Sequence, residues 1–434
     1  MKNSSTRQLG LITVISLVAG GMIGSGIFSL PAVLGQLGAI SLLGWILAAA
    51  GAYTLAIILG KLSKAIPESG GAYAYTKSAF GELSAFLVAW GYWLSTCTTN
   101  AAIALAFTGY LSVFFPVLES SLAGFSATAL AAIWSLTALN YYSIRSSGNL
   151  QVVTTLLKIL PLLIVAIGGF FFFDSSHFQP LNLSGGSDFQ AITTASVLCF
   201  FAFMGIEAAT IPADNIKNPK RNIPKGTLIG VTLVVFLYLF STVSLFGVLS
   251  PSELASSLAP LSDAGVLIFG KNSSYIIALG ACISTFGALN AWILIQGQIS
   301  YAMAKDGLLP KKLAKKNRFG IPGNGLIFSS LLVTVVMIFN FSESFGNVYS
   351  FMIRLTTVTS LFFYLSASLA FGYFCYKNRF GLYLNTKTII LTLLGLGFSL
   401  WLFAGSGLEA ILWGMGGIAL GLPVYFWSKK KNEN

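Results

Sequence analysis

The sequence predicts an all-α polytopic membrane protein with twelve membrane-spanning helices. Hydrophobic residues make up 55% of the 434 residues and charged residues only 9%, whereas about a quarter of the residues in a soluble domain carry charge. The mean hydropathy is +0.81. Apolar stretches of about 20 residues, the length that crosses a bilayer as a helix, recur along the whole chain. A surface with so little charge requires lipid as its solvent.

The first five predicted spans occupy residues 1–180, and each is an apolar run that ends at charged or polar residues. Lys61 and Lys64 follow the second span, Glu119 separates the third from the fourth, and Asp174 follows the fifth. Each run is long enough for one passage through the membrane. The spans are predicted at 9–34, 40–60, 83–115, 122–142 and 151–173.

Residues 181–380 carry the next five predicted spans, and residues 381–434 carry the last two together with a basic cytoplasmic tail. A basic segment at 217–225 separates span six from span seven, and a second one at 305–318 separates span eight from span nine. The spans are predicted at 191–213, 226–249, 273–304, 324–341, 346–374, 387–406 and 409–427.

The distribution of charge predicts the orientation. All 25 lysines and arginines except Lys158, Lys271 and Arg354 fall on the side of the N-terminus. Seven acidic residues sit in the opposite loops, namely Glu119, Asp174, Asp188, Glu253, Asp263, Glu343 and Glu409. Because basic loops stay in the cytoplasm, we expect a multi-pass protein of the cell membrane with both termini cytoplasmic. The lysines and arginines of the cytoplasmic loops then account for the net charge of +12, and no nucleic-acid partner is expected. The first apolar run follows Lys2 and Arg7 and is expected to be a retained span, not a cleaved signal peptide.

Neither a metal site nor a catalytic site is predicted. The cysteines lie within or at the ends of apolar runs, without a CxxC motif or a Cys/His cluster. The single histidine, His177, falls in an outer loop, and no Ser/His/Asp set is evident. We therefore expect no cofactor and no enzymatic activity. The cysteines are Cys97, Cys199, Cys282 and Cys375.

Two predicted spans contain interruptions at matching places. The first span carries Gly24 near its middle and Pro31 further along, and the sixth carries Gly205 and Pro212. The two spans open successive groups of five, which is a weak internal symmetry. Glycine-broken helices at corresponding places of two repeats indicate the central site of a transporter. The alternative is that glycine and proline are simply frequent in membrane helices.

A break in the first span would create binding groups for a zwitterion. Unwinding around Ile23 and Gly24 frees backbone N–H and C=O groups, which are costly to leave unpaired in hydrocarbon. The half-helix that begins after Gly24 directs its N–H groups at the gap, where they suit a carboxylate. The preceding half-helix ends in free carbonyls, which suit an ammonium group. One broken helix therefore offers partners for both ends of an α-amino acid.

Ionisable residues within predicted spans are further candidates for function. Glu207 directly follows the break in the sixth span, and a carboxylate at mid-membrane costs about 2.5–3.5 kcal/mol on insertion scales. It could bind a cationic side chain, carry a coupled proton, or act as a structural hydrogen-bond acceptor. Lys158 lies about 10 Å into the fifth span, where it could snorkel to the surface or serve as a fixed cation. Arg354, in the tenth span, is expected to snorkel or to form a structural pair.

The chain resembles the amino acid–polyamine–organocation superfamily, nearest its basic amino acid and polyamine antiporters. The resemblance runs over most of the chain and rests on motifs that are specific together, not singly. They are Gly24-Ser25-Gly26-Ile27-Phe28 with Pro31, residues 67–75 (PESGGAYAY), Gly91-Tyr92-Trp93-Leu94 through Asn100, Gly205-Ile206-Glu207, residues 217–224 (KNPKRNIP) and residues 306–310 (DGLLP).

The resemblance implies a LeuT-like core, a 5+5 inverted repeat with helices one and six broken, plus two extra helices. It implies that the substrate carboxylate meets the backbone at Ser25 and Gly26. It also implies that the α-ammonium group meets the carbonyls of Met22, Phe201 and Met204. Related antiporters pair as dimers, so a homodimer is expected.

The side chains around the implied site match the superfamily only in part. Tyr92, Asn100 and Trp292 match the pattern of the arginine–agmatine antiporters, although most aromatic residues in such a chain pack or face lipid. Phe201 and Gly21 depart from that pattern, which has tryptophan and asparagine at these positions. Because phenylalanine is a weaker cation–π partner than tryptophan, the departure argues against an arginine-like ligand.

The surroundings of Lys158 resemble the arginine–ornithine and lysine exchangers and the proton-coupled members of the superfamily. In the proton-coupled members a lysine of the fifth span replaces a sodium ion. The resemblance therefore implies a coupling role for Lys158, with Ser284 or Thr285 as the expected hydrogen-bond acceptor.

The sequence thus predicts an amino acid transporter that works by alternating access. We expect an exchanger or proton-coupled carrier of cationic amino acids or their amines, in contact with membrane lipid. Phe201 and Gly21 favour the alternative, a carrier of neutral amino acids. A channel would need polar rings along a continuous pore, and a sensor would bind ligand without flux.

Overall fold

The computed structural model describes residues 9–68, 70–142, 158–211, 213, 216–338 and 345–433. Within these ranges the chain is helical, and the only β-type pairing is an isolated bridge between Leu9 and Ile216. The first helices are α1 (Leu11–Met22), α2 (Ser25–Gly35), α3 (Ser41–Ala65), α4 (Ala72–Phe80), α5 (Glu82–Leu111), α6 (Leu122–Tyr142), α7 (Ile159–Gly169) and α8 (Asp188–Phe201). The others are α9 (Pro219–Val248), α10 (Pro251–Ser256), α11 (Pro260–Phe269), α12 (Ser273–Lys305), α13 (Gly323–Ile338), α14 (Phe345–Tyr376), α15 (Thr386–Gly405), α16 (Leu408–Ala419) and α17 (Gly421–Glu433).

Nine helical stretches in the described ranges are long and apolar enough to cross a membrane. They coincide with predicted spans, so the chain is a polytopic membrane protein whose described ranges are helical. They are Leu11–Gly35 (α1 with α2), Ser41–Ala65 (α3), Leu122–Tyr142 (α6), Asp188–Ala209 (α8 and the turns after it), Pro219–Val248 (α9), Ser273–Lys305 (α12), Phe345–Tyr376 (α14), Thr386–Gly405 (α15) and Leu408–Lys430 (α16 and most of α17).

The remaining predicted spans are three, five and nine. α5 fills span three with 30 residues, but its middle carries the polar run Ser95–Asn100. α7 and α13, in spans five and nine, are shorter apolar helices. The predicted start of span five at 151–157 and the predicted end of span nine at 339–341 lie outside the described residues. The count of twelve spans therefore stays a prediction.

Two connections between predicted spans contain short helices. α4 forms in and after the motif at 67–75, between predicted spans two and three, and α10 and α11 lie between spans seven and eight. The Tyr73 hydroxyl donates to Asp306 Oδ2 at 2.8 Å and fastens α4 to the end of α12. Apolar runs of membrane-crossing length identify spans only, so they give no signal for helices of this size.

Small residues allow the helices to pack closely. A Cβ added at Gly44 of α3 would lie 2.4 Å from the Cβ of Ala195 on α8. A Cβ added at Gly230 of α9 would lie 2.9 Å from the Cβ of Val18 on α1. Membrane helices use such residues to bring their backbones together. As a result α9 packs on both α1 and α3, and α3 packs on α8.

The outer surface of the bundle is apolar. Ile12, Phe171 and Trp413 have exposed fractions of 81%, 82% and 66%. Monomeric soluble proteins rarely expose large contiguous apolar patches, whereas in a membrane such side chains contact lipid. The polar groups described next are instead buried inside the bundle.

Candidate functional site

The first apolar segment breaks between α1 and α2. Ile23 is extended (φ −73°, ψ 90°), and Gly24 has φ −130° and ψ −142°. Both residues are buried, so the break lies inside the protein. Gly24 supplies no side-chain cap, and the N–H groups of Ser25 and Gly26 at the start of α2 have no partner within the helix. The backbone can therefore donate to an anion here and, at the end of α1, accept from a cation.

The sixth apolar segment breaks after α8. Residues 202–205 form turns, and a short 3₁₀ helix follows at Ile206–Ala209. Gly205 has φ +110°, a backbone conformation that side chains disfavour. Pro212, which the sequence associates with this break, lies outside the described residues.

The two breaks pack directly against each other. A Cβ added at Gly205 would lie 2.7 Å from the carbonyl carbon of Gly21 and 2.9 Å from the amide nitrogen of Met22. A Cβ added at Gly26 would lie 2.7 Å from the Cβ of Ala202. Only glycine allows backbones to approach so closely. The predicted site residues lie within a few positions of these contacts along the chain. In segment one they are Met22, Ile23, Gly24, Ser25 and Gly26, and in segment six they are Phe201, Met204 and Glu207.

Glu207 is fully buried at this junction and is held by two tyrosines. The Tyr92 hydroxyl donates to Oε1 at 2.6 Å, and the Tyr364 hydroxyl donates to Oε2 at 2.6 Å. The Gly205 N–H also donates to Oε2 at 3.2 Å. Within the described residues the carboxyl group forms no ion pair. Two separately predicted site residues, Tyr92 and Glu207, are thus in contact, and the carboxyl group links the sixth segment to α5 and α14.

Lys158 is fully buried and does not snorkel to the surface. Its Nζ donates to the Gly20 carbonyl at 3.1 Å. That carbonyl is in the last turn of α1, where the break removes the next helical N–H donor. Among the described residues Nζ bonds neither of the expected acceptors: the Thr285 hydroxyl donates to the Ala281 carbonyl at 2.8 Å, and the buried Ser284 hydroxyl has no partner there. Lys158 therefore joins α7 to the first half of the broken segment.

Two carbonyls expected to meet an ammonium group already accept one hydrogen bond. The Tyr238 hydroxyl donates to the Met22 carbonyl at 2.6 Å. The Met204 N–H donates to the Phe201 carbonyl at 3.1 Å. Because a carbonyl oxygen has two lone pairs, each can accept a second bond from a ligand.

Asn100 belongs to a separate polar network. Its Nδ2 donates to Gln296 Oε1 at 2.7 Å, and Gln296 Nε2 donates to the Ser330 hydroxyl at 3.3 Å. The buried Asn100 Oδ1 has no partner among the described residues. These bonds join α5, α12 and α13 and do not reach the breaks. Trp292 of α12 is buried with an exposed fraction of 4%.

Sequence patterns do not identify three groups of this site, which are Tyr364, Tyr238 and the Gly20 carbonyl. The tyrosines lie in apolar spans, and the general need of a buried hydroxyl for a partner is their only signal.

Arg354 is half-buried near the charge of Glu409. Within the ranges that the structure covers, no group of three or more His, Cys, Asp or Glu side chains could hold a metal ion.

Comparison with known proteins supplies independent information. A sequence model of the family described as amino acid permease matches residues 9–426. A cadaverine/lysine antiporter of Escherichia coli strain K12 is 31% identical over 339 residues, which cover 77% of this chain and 75% of that protein. An arginine/ornithine antiporter of Pseudomonas aeruginosa is 30% identical, covering 95% of this chain and 89% of that protein. The putrescine transporter PotE of Haemophilus influenzae is 27% identical over 95% of both chains.

Proposed function

The chain belongs to the amino acid permease family, and on that premise we propose that it exchanges cationic amino acids or their amines by alternating access. Members of this family are transporters, so the protein is a transporter and not an enzyme. The observation that carries the proposal is the contact between two broken membrane segments, with the buried Glu207 at their junction. The similar antiporters for lysine, cadaverine, arginine and ornithine support this class of substrate.

The break supplies complementary groups for the two poles of the substrate. The N–H groups of Ser25 and Gly26 are available for the carboxylate, and the positive end of the α2 helix dipole favours an anion there. The carbonyls of Met22, Phe201 and Met204 are available for the α-ammonium group. Tyr92, Trp292 and Asn100 are proposed to line the path of the substrate side chain.

Glu207 is proposed to attract the cationic side chain and to take part in proton coupling. Its carboxyl group is the acid at the junction of the breaks, and it contacts Tyr92, Tyr364 and Gly205. A cationic substrate would exchange some of these hydrogen bonds for an ion pair. Because the same carboxyl group ties the sixth segment to α5 and α14, binding at this point would be linked to movement of the segment.

Lys158 is proposed to couple protons to transport. Its buried Nζ bonds the Gly20 carbonyl on the first half of the broken segment. A protonated amine binds a carbonyl more strongly than a neutral amine does. Loss of the proton would therefore weaken the tie between α7 and α1. The orphan hydroxyl of Ser284 is a second acceptor that the amine could use when α1 moves.

A specific observation favours the alternative substrate class, neutral amino acids. Glu207 already accepts hydrogen bonds from three donors and makes no ion pair among the described residues. Phe201 and Gly21 also depart from the arginine–agmatine pattern. In this alternative Glu207 serves as a structural acceptor and the substrate carries no charged side chain.

The proposed architecture extends beyond the helices described. We propose twelve spans, with a first repeat at 1–180, a second inverted repeat at 181–380 and two extra helices with a basic tail at 381–434. Both termini would be cytoplasmic in a cell membrane, and the protein would form homodimers. The matching breaks in segments one and six support the repeat.

Radiolabel counterflow in proteoliposomes tests the function. Vesicles preloaded with single amino acids or diamines are assayed at two pH values for uptake of the labelled partner. The proposal predicts saturable, trans-stimulated exchange of lysine, arginine, ornithine or a diamine. Counterflow with leucine or methionine, but none with the cationic compounds, would establish the neutral alternative. Ligand-induced stabilisation without flux would instead indicate a sensor.

A further inference from the structure

Tyr238 joins the two breaks through one hydroxyl group. It donates to the Met22 carbonyl at 2.6 Å and to the Ala202 carbonyl at 3.2 Å. Met22 ends α1 and Ala202 follows α8, so each broken segment contributes one carbonyl. A single hydroxyl proton shared in this way holds both oxygens near the same point. The side chain is fully buried on α9.

The ring of Tyr238 is fixed by other aromatic side chains. Its centroid lies 5.3 Å from that of Trp45 and 5.6 Å from that of Phe203, both in tilted or edge-on arrangements. Trp45 and Phe203 also contact each other at 5.8 Å. Phe203 belongs to the turns of the second break. Packing against Trp45 of α3, a helix outside the breaks, and against Phe203 of the second break therefore fixes the position of the Tyr238 hydroxyl.

We infer that Tyr238 is a positioning residue for the α-ammonium group of the substrate, which deepens the proposed function and rests on it. An ammonium group needs several acceptors at suitable separations, because it carries three N–H donors. Two carbonyl dipoles that point toward one another repel unless a donor lies between them. The Tyr238 hydroxyl supplies that donor and sets the direction of the Met22 carbonyl, whose second lone pair remains for the ligand.

Two other tyrosines provide matched comparisons. The Tyr349 hydroxyl donates to the Ser25 carbonyl at 3.0 Å, and the Tyr110 hydroxyl donates to the Phe28 carbonyl at 2.7 Å. Each bonds one carbonyl of α2 and neither reaches the second break. Tyr110 is the better control, since it is equally buried but bonds a residue beyond the proposed carboxylate site.

The test measures how strongly the transporter requires an α-amino group. Counterflow of the labelled best substrate is measured in the presence of two unlabelled inhibitors. One is the substrate itself, and the other is its analogue without the α-amino group, which is 6-aminohexanoate for lysine or 4-methylpentanoate for leucine. The inhibition constant of the analogue is divided by that of the substrate. The ratio of the two inhibition constants is compared in the wild type, Tyr238→Phe and Tyr110→Phe. We expect Tyr238→Phe to reduce this ratio about five- to ten-fold, the effect of one buried hydrogen bond, and Tyr110→Phe to leave it unchanged.

Each outcome decides the inference. A ratio in Tyr238→Phe equal to that of the wild type overturns it, even if both inhibition constants rise, because that result describes general loosening. Equal reductions in both variants also overturn it. If Tyr238→Phe does not fold, Tyr238→His, whose shorter ring cannot reach both carbonyls, carries the same expectation. A wild type that exchanges diamines but no amino acid overturns the inference and leaves the proposed function standing. A wild type that exchanges neither removes the proposed function as well.

Discussion

Replacing Lys158 with methionine removes the buried amine and keeps an unbranched side chain. The change deletes the bond from Nζ to the Gly20 carbonyl at 3.1 Å and leaves that carbonyl unpaired. An unpaired buried acceptor costs about 1–3 kcal/mol. In the opposite direction, exchanging buried charged groups for apolar side chains is often neutral or stabilising by about 1–4 kcal/mol. Because the two effects oppose each other, we expect the free energy of unfolding to change by less than about 2 kcal/mol.

Transport should respond much more strongly to this substitution than stability does. Hydrogen bonds to charged groups are worth about 1.5–3 kcal/mol, so loss of the coupling bond should reduce proton-driven uptake about ten-fold or more. Uptake into proteoliposomes with an imposed proton gradient measures this effect, and thermal melting of the purified protein measures stability. Lys271→Met, at an exposed lysine before α12, is the matched control and should behave as wild type. Wild-type proton-driven uptake by Lys158→Met would refute the coupling role.

Two further substitutions test the junction of the breaks. Glu207→Gln should abolish the pH dependence of counterflow or the affinity for cationic substrates. The protein should remain folded, because an amide oxygen still accepts a hydrogen bond from a tyrosine hydroxyl. Unchanged kinetics at two pH values would assign Glu207 a structural role only. Gly205→Ala should destabilise the protein by about 2–5 kcal/mol, the sum of a left-handed backbone and an overlap with Gly21. Gly185→Ala, at φ +71° with open space around the added Cβ, should cost only about 1–2 kcal/mol, and equal shifts of the melting temperature in both variants would contradict the close contact.

The places where the helices break could be predicted from the sequence because the signal is local. Gly24 and Gly205 are each followed by a proline seven residues later, and the structure ends α1 and α8 within a few residues before these glycines. Length and hydropathy likewise predict the nine helical stretches that can cross a membrane. The sequence gives no signal for the short helix α4, because a helix of nine residues between spans has no apolar run of membrane-crossing length.

The partners of the buried polar groups could not be predicted because they depend on packing between distant spans. Tyr364 is 157 positions from Glu207 in the chain, and nothing near Tyr364 distinguishes it from other tyrosines in apolar runs. The resemblance implies a bond from Lys158 to a hydroxyl of α12, yet the amine bonds the Gly20 carbonyl. Its partner is a backbone carbonyl that becomes free only because α1 ends, so the residue type at position 20 carries no signal for it.

The bare contact between Gly21 and Gly205 has a mechanical consequence. Interlocked side chains resist small displacements, since close-packed interiors leave no free volume and shift between discrete arrangements. Where two backbone segments meet at glycines without Cβ atoms, one segment can turn slightly over the other without a change of side-chain rotamer. The crossing point can therefore act as a pivot for segments one and six, with its resistance set mainly by the hydrogen bonds around it.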